Sequence, residues 1–77
     1  MTKNEWRSIF CANLRDAIED SGMSQKLLAK ECNLSTGSVS DYINGWSVPG
    51  VVALVNISYA LDISIDELVN VDELIDY

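Results

Sequence analysis

The feature that most constrains this chain is residues 24–45, Ser-Gln-Lys-Leu-Leu-Ala-Lys-Glu-Cys-Asn-Leu-Ser-Thr-Gly-Ser-Val-Ser-Asp-Tyr-Ile-Asn-Gly. It reads as two short helices joined by a tight turn. Ser24 can accept from the free N–H groups that open the first helix, and Leu27, Leu28 and Cys32 recur along one helical face. Ala29 is small, which lets the backbone of the second helix pass close to the first. Asn33 tolerates the left-handed conformation that the turn requires, and Leu34 supplies an apolar plug between the helices. Ser35 then caps the second helix, Val39, Tyr42 and Ile43 line its inner face, and Asn44-Gly45 closes it.

Three further helices follow from the flanking pattern. Thr2-Lys3-Asn4-Glu5 fits a capping box, and Trp6, Ile9, Phe10, Leu14, Ala17 and Ile18 recur at spacings of three and four. That predicts a long first helix ending at Gly22, with Arg7, Arg15, Asp16, Glu19 and Asp20 outward. After Pro49, the residues Val51, Val52, Leu54, Val55, Ile57, Ser58 and Leu61 make a helix apolar around much of its circumference, as a central helix is, with Tyr59 at its edge. Ser64-Ile65-Asp66-Glu67 is a second capping box, opening a fifth helix with Ile65, Leu68 and Val69 inward. The expected fold is all-α and five-helix. A domain of 77 residues buries only about 60 % of its unfolded surface, so it depends on dense apolar packing, which a 48 % hydrophobic composition permits.

The sequence lacks the residues that several chemistries require. Cys11 and Cys32 fall among apolar neighbours, where free thiols behave as small buried hydrophobes. With no histidine and two thiols, the ligands of a structural zinc site are lacking, and neither a metal nor a cofactor is expected. No apolar run reads as a signal peptide or a bilayer span, so a cytoplasmic protein is the natural reading. The carboxylates lie on surfaces with no evident pocket to perturb them, and enzymatic activity is not expected.

Gln25, Leu28-Ala29-Lys30-Glu31, Leu34-Ser35, Val39-Ser40 and Asn44-Gly45 together resemble a helix-turn-helix, and more narrowly the Cro/C1-type (XRE) family of phage-repressor-like DNA-binding domains. The resemblance covers roughly residues 9 to 69. It implies a compact five-helix phage-repressor-like domain over residues 1–70, with helices two and three as the helix-turn-helix, and an acidic amphipathic extension over 71–77. It also implies a transcriptional regulator that binds double-stranded DNA in the major groove as a homodimer, with no small-molecule ligand and no membrane partner. The residues expected at the DNA are Gln25, Lys26, Ser35, Thr36, Gly37, Ser38, Ser40, Asp41, Asn44 and Ser47. Gln25 commonly meets a phosphate in the family; its bland alternative is an exposed helix former. Lys26 and Lys30 either flank the DNA backbone or are simply solvated, and Arg15 either reaches a phosphate or is solvated.

Two departures from the family pattern stand out. Many members pair an Arg near position 18 with a Glu near 43 inside the fold, where this chain has Ile18 and Ile43, an apolar exchange that a core accepts. Members also often carry Lys or Arg where this chain has Trp46 and Ser47. Trp46 has three readings: packing against the core, lying along a sugar-phosphate wall, or meeting a partner subunit.

Charge cuts against nucleic-acid binding. Five basic and twelve acidic residues leave a net charge of −7, whereas phosphate neutralisation by cations supplies much of the affinity of DNA binders. The acid is concentrated, with Asp62, Asp66, Glu67, Asp72, Glu73 and Asp76 in the last sixteen residues, and screening over about 8 Å weakens its reach. An alternative function is therefore kept open: the same fold used as a protein-interaction or antirepressor-like adaptor. The tail residues Val71, Leu74 and Ile75 form an apolar stripe that would either support dimerisation together with the fifth helix or fold back on the domain.

Overall fold

The structure is a computed structural model that describes residues 2–69. Within them lie α1 (Lys3–Ser21), α2 (Gln25–Glu31), α3 (Thr36–Ile43), α4 (Val51–Leu61) and α5 (Ile65–Leu68), with no strand. The all-α, five-helix expectation holds. The extension assigned to 71–77 lies outside the described residues.

Hydroxyl caps open four of the five helices. Thr2 Oγ1 accepts from Glu5 N at 3.2 Å, Ser24 Oγ from Leu27 N at 3.0 Å, Ser35 Oγ from Ser38 N at 3.0 Å and Ser64 Oγ from Glu67 N at 3.2 Å. Each satisfies one of the N–H groups that a helix start leaves without a partner. Gly50 opens α4 without a side-chain cap. At the other ends, a residue in the left-handed region turns the chain: Gly22, Asn33, Gly45 and Asp62 have φ of 71°, 56°, 76° and 54°. Asp62 takes this role without being a glycine, and its short polar side chain suits it.

Helices of seven and eight residues are marginal alone, so α2 and α3 owe their persistence to the core they share with α1 and α4. That core consists of Phe10, Leu14, Leu28, Ala29, Cys32, Val39, Ile43, Ile57, Leu61 and Leu68. Trp6 stacks on Phe10 with ring centroids 5.2 Å apart. Ile18 packs against this cluster and Ile43 belongs to it, so the apolar exchange at those positions serves the interior. Asn13 Nδ2 donates to the carbonyl of Leu68 at 2.9 Å, tying α1 to α5.

Some burial expectations need correction. Leu27 is exposed, because α2 turns Leu28, Ala29 and Cys32 inward and leaves its neighbour on the opposite side. Ile65, at the start of α5, is also exposed, while Leu68 carries that helix into the core. Arg7 is half-buried instead of fully outward, with its Nε enclosed. α4 is not central: Ile57 and Leu61 are buried, but Val51, Val52 and Tyr59 face out. Its apolar circumference hid that difference, since its polar residues Asn56 and Ser58 are half-buried and do not mark the side that faces out.

Both cysteines are free, Cys32 buried and Cys11 half-buried. Cys11 Sγ donates to the carbonyl of Ser8 at 3.4 Å. Burial, reinforced by the nearby Glu31 charge, pushes the Cys32 thiol up from its ordinary value and holds it neutral. Among the described residues, no helix is long and apolar enough to cross a membrane.

Candidate nucleic-acid interface

The turn between α2 and α3 sets their relative placement. After Cys32, Asn33 adopts the left-handed conformation, its N–H donates to the Lys30 carbonyl at 3.2 Å, and the N–H of Leu34 donates to the Ala29 carbonyl at 2.8 Å. This paired arrangement is a Schellman ending, which satisfies carbonyls left over by α2 and drops Leu34 against the core. Ser35 follows at once as the cap of α3, so little chain is free between the helices.

α3 ends by the same device. Gly45 N donates to the Tyr42 carbonyl at 3.3 Å and Trp46 N to the Asp41 carbonyl at 2.9 Å, around the left-handed Gly45. An ideal Cβ on Gly45 would sit 3.7 Å from Cys11 Sγ, so backbone conformation and not space demands glycine there. At the same helix end, Arg15 Nε donates to the Ile43 carbonyl at 3.0 Å. Arg15 is exposed, and its Nε has a structural partner. It bonds a terminal carbonyl of α3 from α1, with its positive charge at the negative end of the helix dipole. Arg15→Ala is expected to cost about 1 kcal/mol, or roughly 4–8 °C in Tm by calorimetry, and an unchanged Tm would remove this role.

With Val39 and Ile43 turned inward, the outward side of α3 presents Thr36, Gly37, Asp41 and Asn44 exposed, with Ser40 half-buried among them. Asn44 Nδ2 donates to Ser40 Oγ at 3.3 Å, an i, i+4 pair that keeps both side chains on that face. Ser35 Oγ donates to Ser38 Oγ at 2.9 Å, and Ser38 is half-buried. These two hydroxyls, that of Ser35 exposed, thus serve the helix start and lie at its N-terminal edge. A Cβ on Gly37 would meet only Ser35 Oγ, at 3.8 Å, so the fold itself does not require glycine there. Gln25, the first residue of α2, is exposed, as are Lys26 and Lys30, four residues apart on one side of that helix. Ser47 is half-buried in the connection to α4.

Trp46 is 74 % exposed. Packing in the core is therefore excluded. Its backbone N–H donates to the Asp41 carbonyl, which places it directly after the end of α3.

Residues 14–68 match the family described as helix-turn-helix. No curated protein matches. Among solved structures, the chain is similar to the solution structure of the SOS-response transcriptional repressor LexA from Eubacterium rectale, at 24 % identity and a TM-score of 0.84, over 100 % of this chain and 83 % of that one. At that identity the likeness speaks for the fold. The family match spans most of the chain and takes in the α2-turn-α3 unit with its caps. The chain belongs to the helix-turn-helix family, of the Cro/C1 type.

Proposed function

We propose that this chain is a cytoplasmic, non-enzymatic transcriptional regulator that docks α3 in the major groove of double-stranded DNA and acts as a homodimer on an operator. The observation that carries the reading is the outward side of α3, where Thr36, Gly37, Ser40, Asp41 and Asn44 stand on a helix whose opposite side is anchored in the core. The DNA-binding kind of function is that of its family. In the proposed complex the N-terminal end of α3 meets base edges, and Gln25 and Lys26 at the start of α2 meet phosphates, with Ser47 beyond α3. Ser35 and Ser38 take part while still closing the helix start. Small hydroxyls discriminate bases poorly, so DNA shape and the second subunit carry much of the specificity.

A second reading, an adaptor that binds protein through the same fold, is favoured by the exposed Trp46 in a chain of net charge −7. Selection from a pool of random double-stranded DNA at two salt concentrations separates the two. The expected result is an inverted repeat with half-sites about 34 Å apart, one turn of the duplex. Lys26 and Lys30 would contribute a salt slope of about −2 per subunit. If folded protein recovers nothing at low salt, the DNA-binding reading fails and the adaptor reading replaces it.

A further inference from the structure

α4 is the one helix among the described residues without a charged side chain, and from Tyr42 to Leu61 the chain carries none at all. At 100° per residue, Val51, Val52, Val55 and Tyr59 fall on the side of α4 opposite Ile57 and Leu61. Ile57 and Leu61 are in the core, whereas Val51, Val52 and Tyr59 are 78 %, 74 % and 82 % exposed. An apolar stripe that long on a small domain marks a contact surface more often than chance exposure.

We propose that this side of α4 is the two-fold contact between two copies of the chain, an inference that deepens the homodimer reading and rests on it. Charge selects the occupant. Copies that each carry −7 repel over most of their surfaces, and α4 is where two of them can meet with no like charges opposed. DNA, a polyanion, gains nothing from a stripe that offers it no cation. The geometry is self-complementary: antiparallel α4 helices crossing near Val55 set Val52 of one copy on the partner's Tyr59, twice. The stripe amounts to on the order of 400–500 Å² per copy, below the roughly 800 Å² of a standard interface, so the contact is weak alone and is completed when two half-sites hold both copies.

Sedimentation velocity of the full chain without DNA, from about 1 μM to about 1 mM, tests this. The wild type is expected to pass from monomer to dimer with Kd on the order of 10–100 μM. Val52→Glu, in the first turn of α4, and Tyr59→Lys, in its last, place charges where the helix dipole tolerates them, and each is expected to raise Kd at least tenfold with Tm unchanged. Combining them opposes Glu to Lys across the axis and is expected to recover part of the loss. Ile65→Glu, on α5, is expected to leave Kd within about threefold. A wild type that stays monomeric to the highest concentration overturns both the α4 contact and the free homodimer. A wild-type dimer that survives Val52→Glu and Tyr59→Lys, or that Ile65→Glu dissolves, overturns the α4 contact alone.

Discussion

Phe10→Ala is expected to remove most of this chain's stability. Phe10 is fully buried at the middle of the core, stacked on Trp6 from the preceding turn of α1. Removing a buried phenylalanine ring costs about 3–5 kcal/mol, the transfer energy plus the cavity left behind. A domain of this length holds a total stability of similar size, on the order of 5 kcal/mol. The neighbours cannot collapse into the gap cheaply, because Leu14, Leu28 and Ile57 already sit fully buried in the same cluster. Far-UV circular dichroism on heating checks it: the expected fall in Tm is at least about 15 °C, and a fall under 5 °C would mean that the core is not organised around this ring.

Thr36→Glu is expected to act in the opposite sense, sparing the fold and removing DNA binding. Thr36 is the first residue of α3 and is exposed, so a glutamate there faces no packing conflict and interacts favourably with the positive end of the helix. Stability should hold or rise by a few tenths of a kcal/mol. In a docked complex the same carboxylate meets base edges and phosphates at the N-terminal end of the reading helix, where it displaces a contact worth about 1–3 kcal/mol and adds repulsion. Affinity for the selected site should fall about 100-fold or more, as measured by fluorescence anisotropy at fixed salt. Undiminished binding by a folded Thr36→Glu variant would show that α3 does not enter the groove by this end.

The two substitutions divide the molecule along a line that also separates what was readable from residues alone. The helix starts at Thr2, Ser24, Ser35 and Ser64 and the left-handed turns at Gly22, Asn33 and Gly45 are legible because each rests on a hydrogen bond or a φ preference within a few residues. The same is true of the main inward residues, Phe10, Leu14, Leu28, Val39 and Leu68, whose spacing follows the helical period. The candidate DNA residues of α3 and the start of α2 were named from family resemblance, and the fold places Thr36, Gly37, Asp41 and Asn44 outward and Ser38 half-buried at the helix start.

Only the tertiary structure decided what joins distant parts of the chain and which apolar side is covered. Arg15 reaches a carbonyl 28 residues away and Asn13 one 55 residues away, and no local pattern encodes either bond. Trp46, Val51, Val52 and Tyr59 have the composition of a core but stand in solvent. The physical reason is that hydrogen bonds at caps and turns close within a few residues and so are written in short stretches of sequence. Burial depends on what other helices happen to cover, and in α4, apolar nearly all round, the sequence itself offers no preferred side for them to cover.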